Sequence, residues 1–152
     1  MSAAHLREVE AALEEAERLR TAGRYKEGVA LLIDALRFGQ ETAQICFRLG
    51  NLYYDSHDLE RAEYAYKKAI EHDPLYVSAH HNLAVVYRQQ GRIGEYVKQR
   101  KQALRLAGRH PERVQFSEEQ ARRVRRLALR LFLFGFALLA LVFLAIYFLG
   151  RA

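Results

Sequence analysis

The 152-residue chain has no tryptophan, one cysteine, one methionine and two prolines. A single thiol, Cys46, excludes an intrachain disulfide framework. With few prolines, nine glycines, no period-two alternation and no hairpin dipeptides, little points to strands, and an all-α class is expected. Catalytic signatures are missing too. There is no HExxH, no paired-cysteine spacing, no phosphate-binding glycine loop and no GxSxG. His80 and His81 are adjacent, so on a helix they diverge and make no i, i+4 metal pair. Asp55, His57 and Asp58 crowd one turn, where a solvated turn with a helix cap is the expected reading. No enzyme, cofactor, metal or small-molecule substrate is therefore expected. Positive charge is scarce at first: residues 1–87 hold 10 Lys+Arg against 14 Asp+Glu, and residues 88–152 hold 14 against 4. That cationic half leads into an apolar run and shows no base-reading or stacking array, so no nucleic-acid partner is expected.

What is present is a repeated helical pattern. Cys46, Leu49, Gly50 and Tyr53 fall at i, i+3, i+4 and i+7. Beyond Asp55–Asp58, Ala62, Tyr66 and Ala69 share the face of a second helix, and Asp73-Pro74 closes the unit. Gly50, Ala62 and Ala69 lack bulk where two helices approach, and Leu49, Tyr53 and Tyr66 fill the surrounding space. Thirty-four residues later Leu83, Ala84, Tyr87, Gly91-Arg92 and Ala103 recur, with Tyr96 and Arg100 departing. Thirty-four earlier stand Ala12, Ala16, Leu19, Gly23-Arg24-Tyr25, Leu32 and Ala35, with Glu15 and Gly28 departing. A hairpin of this kind buries its faces only against like neighbours.

The spacing of Leu49, Gly50, Tyr53, Ala62, Tyr66, Ala69 and Pro74 resembles the tetratricopeptide repeat, a 34-residue helix-turn-helix unit; Cys46 replaces its leading Trp. Three repeats are expected, at about 9–42, 43–76 and 77–110, within a repeat domain spanning 1–110. The resemblance implies a concave groove lined by the first helix of each repeat, taking a peptide or helix of a protein partner. Its lining would be Leu13, Glu17 and Arg20, then Phe47, Asn51 and Tyr54, then His81, Asn82, Val85 and Arg88. Phe47 and Tyr54 lie off the core stripe and are either partner anchors or contacts to a neighbouring repeat. A chaperone-type carboxylate clamp is not expected, because Phe47 and Leu13 stand where such clamps carry Lys. His80 is expected to replace a core aromatic, and Cys46 to be an inert buried thiol.

No secretory signal is expected in the Glu-rich first twenty residues. At the other end, Ser117-Glu118-Glu119-Gln120 has the form of a capping box. Arg122, Arg123, Arg125, Arg126 and Arg130 follow, so 111–130 reads as a basic capping and juxtamembrane helix. Leu131 to Leu149 is a run of 19 uncharged residues, 14 of them Leu, Ile, Val or Phe. At 1.5 Å per residue it reaches roughly 28 Å, close to the ~30 Å hydrocarbon core. A transmembrane helix over 131–149 is expected. The Arg cluster would keep the repeats cytoplasmic and send Gly150-Arg151-Ala152 across, a tail-anchored layout. The same cluster either sets topology alone or also binds anionic lipid. No GxxxG face marks the run for self-association.

These features lead to two expectations. In the first the chain is a membrane-anchored adaptor, its groove holding a protein partner. In the second it is a constitutive subunit or assembly factor of a membrane complex, its aromatic-rich span packed on other helices.

Overall fold

The computed structural model describes residues 3–111, 127–129, 132 and 134–136. The chain divides into two compact units, Met1–Val114 and Gln115–Ala152. The first is entirely helical in its described part: α1 (Ala3–Thr21), α2 (Tyr25–Ala35) with a 3-10 turn (Leu36–Phe38), α3 (Thr42–Asp55), α4 (Leu59–His72), α5 (Val77–Gln89) and α6 (Ile93–Arg109). Consecutive helices pair as α1–α2, α3–α4 and α5–α6; α2 then packs on α3 and α4 on α5, while α1 also reaches α3. This is the expected stack of three hairpins.

The 34-residue period is written into the backbone of the turns. Gly23, His57 and Gly91 stand 34 residues apart and all adopt left-handed φ, +75°, +64° and +74°. After each, an amide bonds back to the fifth residue before it: Arg24 N to Leu19 O (2.8 Å), Asp58 N to Tyr53 O (2.8 Å) and Arg92 N to Tyr87 O (2.9 Å). That bond closes a Schellman-type helix end and satisfies one of the last free carbonyls. Asp58 then caps α4, its carboxylate accepting from Arg61 N at 3.0 Å.

The core lies between repeats in two clusters, and α3 feeds both. Ile45, Leu49 and Leu52 pack with Val9, Leu13, Ala16, Leu32 and Ala35. Cys46 and Phe47 pack with Ala62, Tyr66, Ala69, Tyr76, Leu83 and Val86. The middle hairpin is thus apolar on two faces, which is why its copy of the pattern is the fullest. Gly50 is buried because a ring needs its space: a Cβ there would meet Tyr66 Cε1 at 2.5 Å. His80 is buried among apolar neighbours yet bonded at both ring nitrogens, Nδ1 to Gln99 Oε1 (2.8 Å) and Nε2 to Pro74 O (3.1 Å). It fills the expected aromatic place and its polarity is satisfied.

In the second unit, Leu127–Leu129, Phe132 and Phe134–Phe136 are helical, with Leu127, Leu129, Phe132, Phe134 and Phe136 exposed. The expected capping box, the five arginines Arg122 to Arg130 and most of the expected 131–149 span lie outside the described residues. Among the described residues no helix is long and apolar enough to cross a membrane.

Candidate functional site

One side of the repeat unit is lined by α1, α3 and α5, and cross-helix polar bonds run along it. The first group joins α1 to α3. Arg20 pairs with Glu17 (2.7 Å) one turn before it and with Asp55 near the end of α3. Arg48 reaches the other oxygen of Glu17 at 2.9 Å. These are two cations and two anions, each about a quarter to a third exposed. Burial alone would raise the Glu17 carboxyl, but Arg20 and then Arg48 outweigh it and hold the group below the usual carboxylate range. Arg20 is pushed above its ordinary value, chiefly by its hydrogen bonds to Glu17. Arg48 Nε is buried with no hydrogen-bond partner among the described residues.

The second group joins α3, α4 and α5. The Tyr66 hydroxyl donates to Asn51 Oδ1 at 2.8 Å, and Asn82 Nδ2 donates to the same oxygen at 3.0 Å. Burial pushes the Tyr66 phenol well above its usual range, so it stays a donor. Two donors therefore fill the Asn51 carbonyl, and its amide hydrogens have no partner among the described residues. Nearby, Gln89 Nε2 donates to the Tyr54 hydroxyl at 2.7 Å, a second bridge from α5 to α3.

Of the expected lining, the structure brings Glu17 together with Arg20, and Asn51 with Asn82, while Tyr54 is half-buried and engaged by Gln89. Val85 is half-buried on α5, on the stripe between Asn82 and Gln89, and His81 and Arg88 are exposed. Leu13 needs correction, and Phe47 takes the second of its two expected readings, a core contact and not a partner anchor. Leu13 is buried in the core between repeats one and two. Phe47 is 9% exposed, its ring 4.9 Å from Tyr76 and 5.9 Å from Tyr66. Tyr76, at the end of the same repeat, closes over Phe47, and Leu83 and Val86 of α5 share its cluster, so the ring sits in the core where repeats two and three meet. Burial pushes the Tyr76 phenol up to about 12.

Arg48 and Asp55 belong to this face and were not expected there. Their signal is present in the sequence: at three before and four after Asn51, they lie on its helical stripe. Among the described residues no group of His, Cys, Asp and Glu is placed to hold a metal ion.

Residues 50–91 match a family model described as "TPR repeat", the tetratricopeptide repeat. Solved structures resemble the chain in fold. A crystal structure of MamA superposes with TM-score 0.64 at 22% identity, covering 68% of this chain and 61% of that one. The chain thus spans about three fifths of the MamA chain it matches. A structure of PcrH with the chaperone binding region of PopB gives TM-score 0.64 at 17% identity, over 75% of this chain and 90% of that one. A CopN–Scc3 complex gives 0.60 at 17%, over 65% and 58%. Curated proteins give no match. The repeat unit therefore has a TPR-like helical-repeat fold.

Proposed function

We propose that the chain is a membrane-anchored adaptor. Its face of α1, α3 and α5 holds an extended peptide or a helix of a protein partner. The observation that carries this reading is Asn51. Its carbonyl is held by Tyr66 and Asn82, so the side chain is fixed in place with its amide donors unspent, ready for a backbone carbonyl of a bound segment. The Glu17–Arg20–Arg48–Asp55 group beside it offers both signs of charge for partner side chains. Two structures of the same fold carry names of protein complexes, PcrH with a region of PopB and CopN with Scc3, which supports a protein ligand.

The anchor belongs to the same reading. Residues 131–149 span the bilayer, and Arg122, Arg123, Arg125, Arg126 and Arg130 keep the repeats cytoplasmic and meet anionic head groups. The uncharged run and the one-sided arginines support it.

The test uses the full chain in its native membrane. Wild type and N51A, matched for thermal unfolding, are crosslinked in place and the captured proteins compared. The expected result is a captured protein lost from N51A. A capture profile unchanged by N51A overturns the groove. Release of the full chain by alkaline carbonate overturns the anchor.

A further inference from the structure

Among the described residues of the repeat unit, one exposed face of α6 carries the longest line of exposed aliphatic side chains. Ile93, Val97 and Leu104 are 56%, 54% and 65% exposed. Their spacing of four and then seven residues aligns them along one side of a helix. Other helices of this unit show such residues singly, as Leu6 on α1, Ile33 on α2 and Tyr64 on α4. A line of three is a surface made to be covered.

Its charge says by what. Elsewhere in the unit most cations are neutralised within the chain: Arg18, Arg20, Arg24, Arg37, Arg48, Arg61, Lys67, Lys68 and Arg92 all form ion pairs. On α6, Lys98, Lys101, Arg105 and Arg109 have no ion-pair partner among the described residues. Among the described residues Arg100 meets only the Tyr96 hydroxyl and ring. Arg100 and Lys101 flank the stripe between Val97 and Leu104, and Lys98 and Arg105 extend one border. The single acid of the helix, Glu95, is paired to Arg92. A narrow aliphatic stripe edged by unneutralised Lys and Arg, with no exposed aromatic anchor, fits a surface that is anionic outside and apolar just beneath. The long stems let the charges sit at head-group level while the aliphatics dip below. A protein partner would be expected to fill a pocket around an aromatic anchor.

We infer that the outer face of α6, along Ile93, Val97 and Leu104, lies on an anionic lipid surface. This deepens the membrane half of the proposed function and rests on it for bringing α6 to a bilayer.

The test places an environment-sensitive fluorophore on V97C, or on Y64C of α4 as a control, in the full chain. Buried Cys46 stays, and its failure to react is checked in the chain without either substitution. Vesicles are pure phosphatidylcholine or a phosphatidylcholine–phosphatidylglycerol mixture, with and without brominated chains. The expected result is a blue shift and bromine quenching at V97C in the mixed vesicles only, with none at Y64C. Both effects are lost with K98E/K101E/R105E and strongly reduced in molar salt. A V97C label that stays water-exposed on mixed vesicles, while the chain floats with them, overturns the inference. So does a blue shift without vesicles: dependent on protein concentration it marks a second copy on the face, and independent of it the chain's own residues. Failure of the anchor reads differently. The full chain then does not float with pure phosphatidylcholine, and the V97C response to mixed vesicles is still measured on the free chain.

Discussion

The ring of Tyr66 lies on Gly50: a methyl group there would sit 2.5 Å from Cε1 and 2.6 Å from Cδ1. That approach holds the phenol 2.8 Å from Asn51 Oδ1. A missing side chain on α3 thus sets the geometry of the donor that orients Asn51.

G50A is therefore expected to lower stability by about 2–3 kcal/mol, because a fully buried ring has no room to retreat. Gly28 is the comparison. A Cβ there is crowded by the Leu52 methyls, at 2.9 and 3.2 Å, the far end of a flexible side chain, while the Ala16 carbonyl oxygen lies at an ordinary 3.6 Å. G28A is expected to cost under about 1 kcal/mol. Urea unfolding of both variants decides; equal losses would refute the steric account.

Tyr66→Phe keeps the ring and removes one hydrogen bond, leaving Asn51 Oδ1 to Asn82 alone. A loss of about 0.5–1.5 kcal/mol is expected. Side-chain amide NMR signals of Asn51 should broaden as its orientation loosens, and a signal as sharp as wild type would mean Tyr66 does not hold it.

Glu17 carries the pH dependence. Its carboxyl is lowered from 4.5 in the folded chain, so the stability it adds is present above that value and fades as pH falls through the folded one. E17Q is expected to be the weaker protein at neutral pH, by about 1 kcal/mol or less given the exposure of the group. The gap should close as pH drops below 4.5. A gap that persists in acid would assign the effect to packing.

His57 is the one turn residue of the three that is not glycine, at φ +64°. H57G is expected to stabilise by up to about 1 kcal/mol, as the left-handed conformation costs a side-chain-bearing residue about that much. G23A and G91A should lose a similar amount. Thermal midpoints of the three variants measure it.

Much of the repeat unit was legible in the chain because its signals are local. Gly23, Asp58 and Asp73-Pro74 stand at ends of elements in the structure, as their turn and cap chemistry leads one to expect. Leu32, Leu49, Ala62, Tyr66, Ala69 and Leu83 are buried as their periodicity requires. Phe47 shows where such reading stops. Off its own helix stripe, its environment is decided by Tyr76, twenty-nine residues on, which only folding brings against it.

The amino-acid order by itself determined the hairpins, their 34-residue spacing and their three-fold count, since turn conformation and helix periodicity act over a few residues. Only the tertiary structure decided that Arg48 and Asp55 join Glu17 and Arg20, that Asn51 spends its carbonyl on Tyr66 and Asn82 while its amide finds no partner among the described residues, and that Ile93, Val97 and Leu104 of α6 are exposed. Those outcomes depend on which helix faces meet across repeats, and a local pattern carries no record of its distant neighbour.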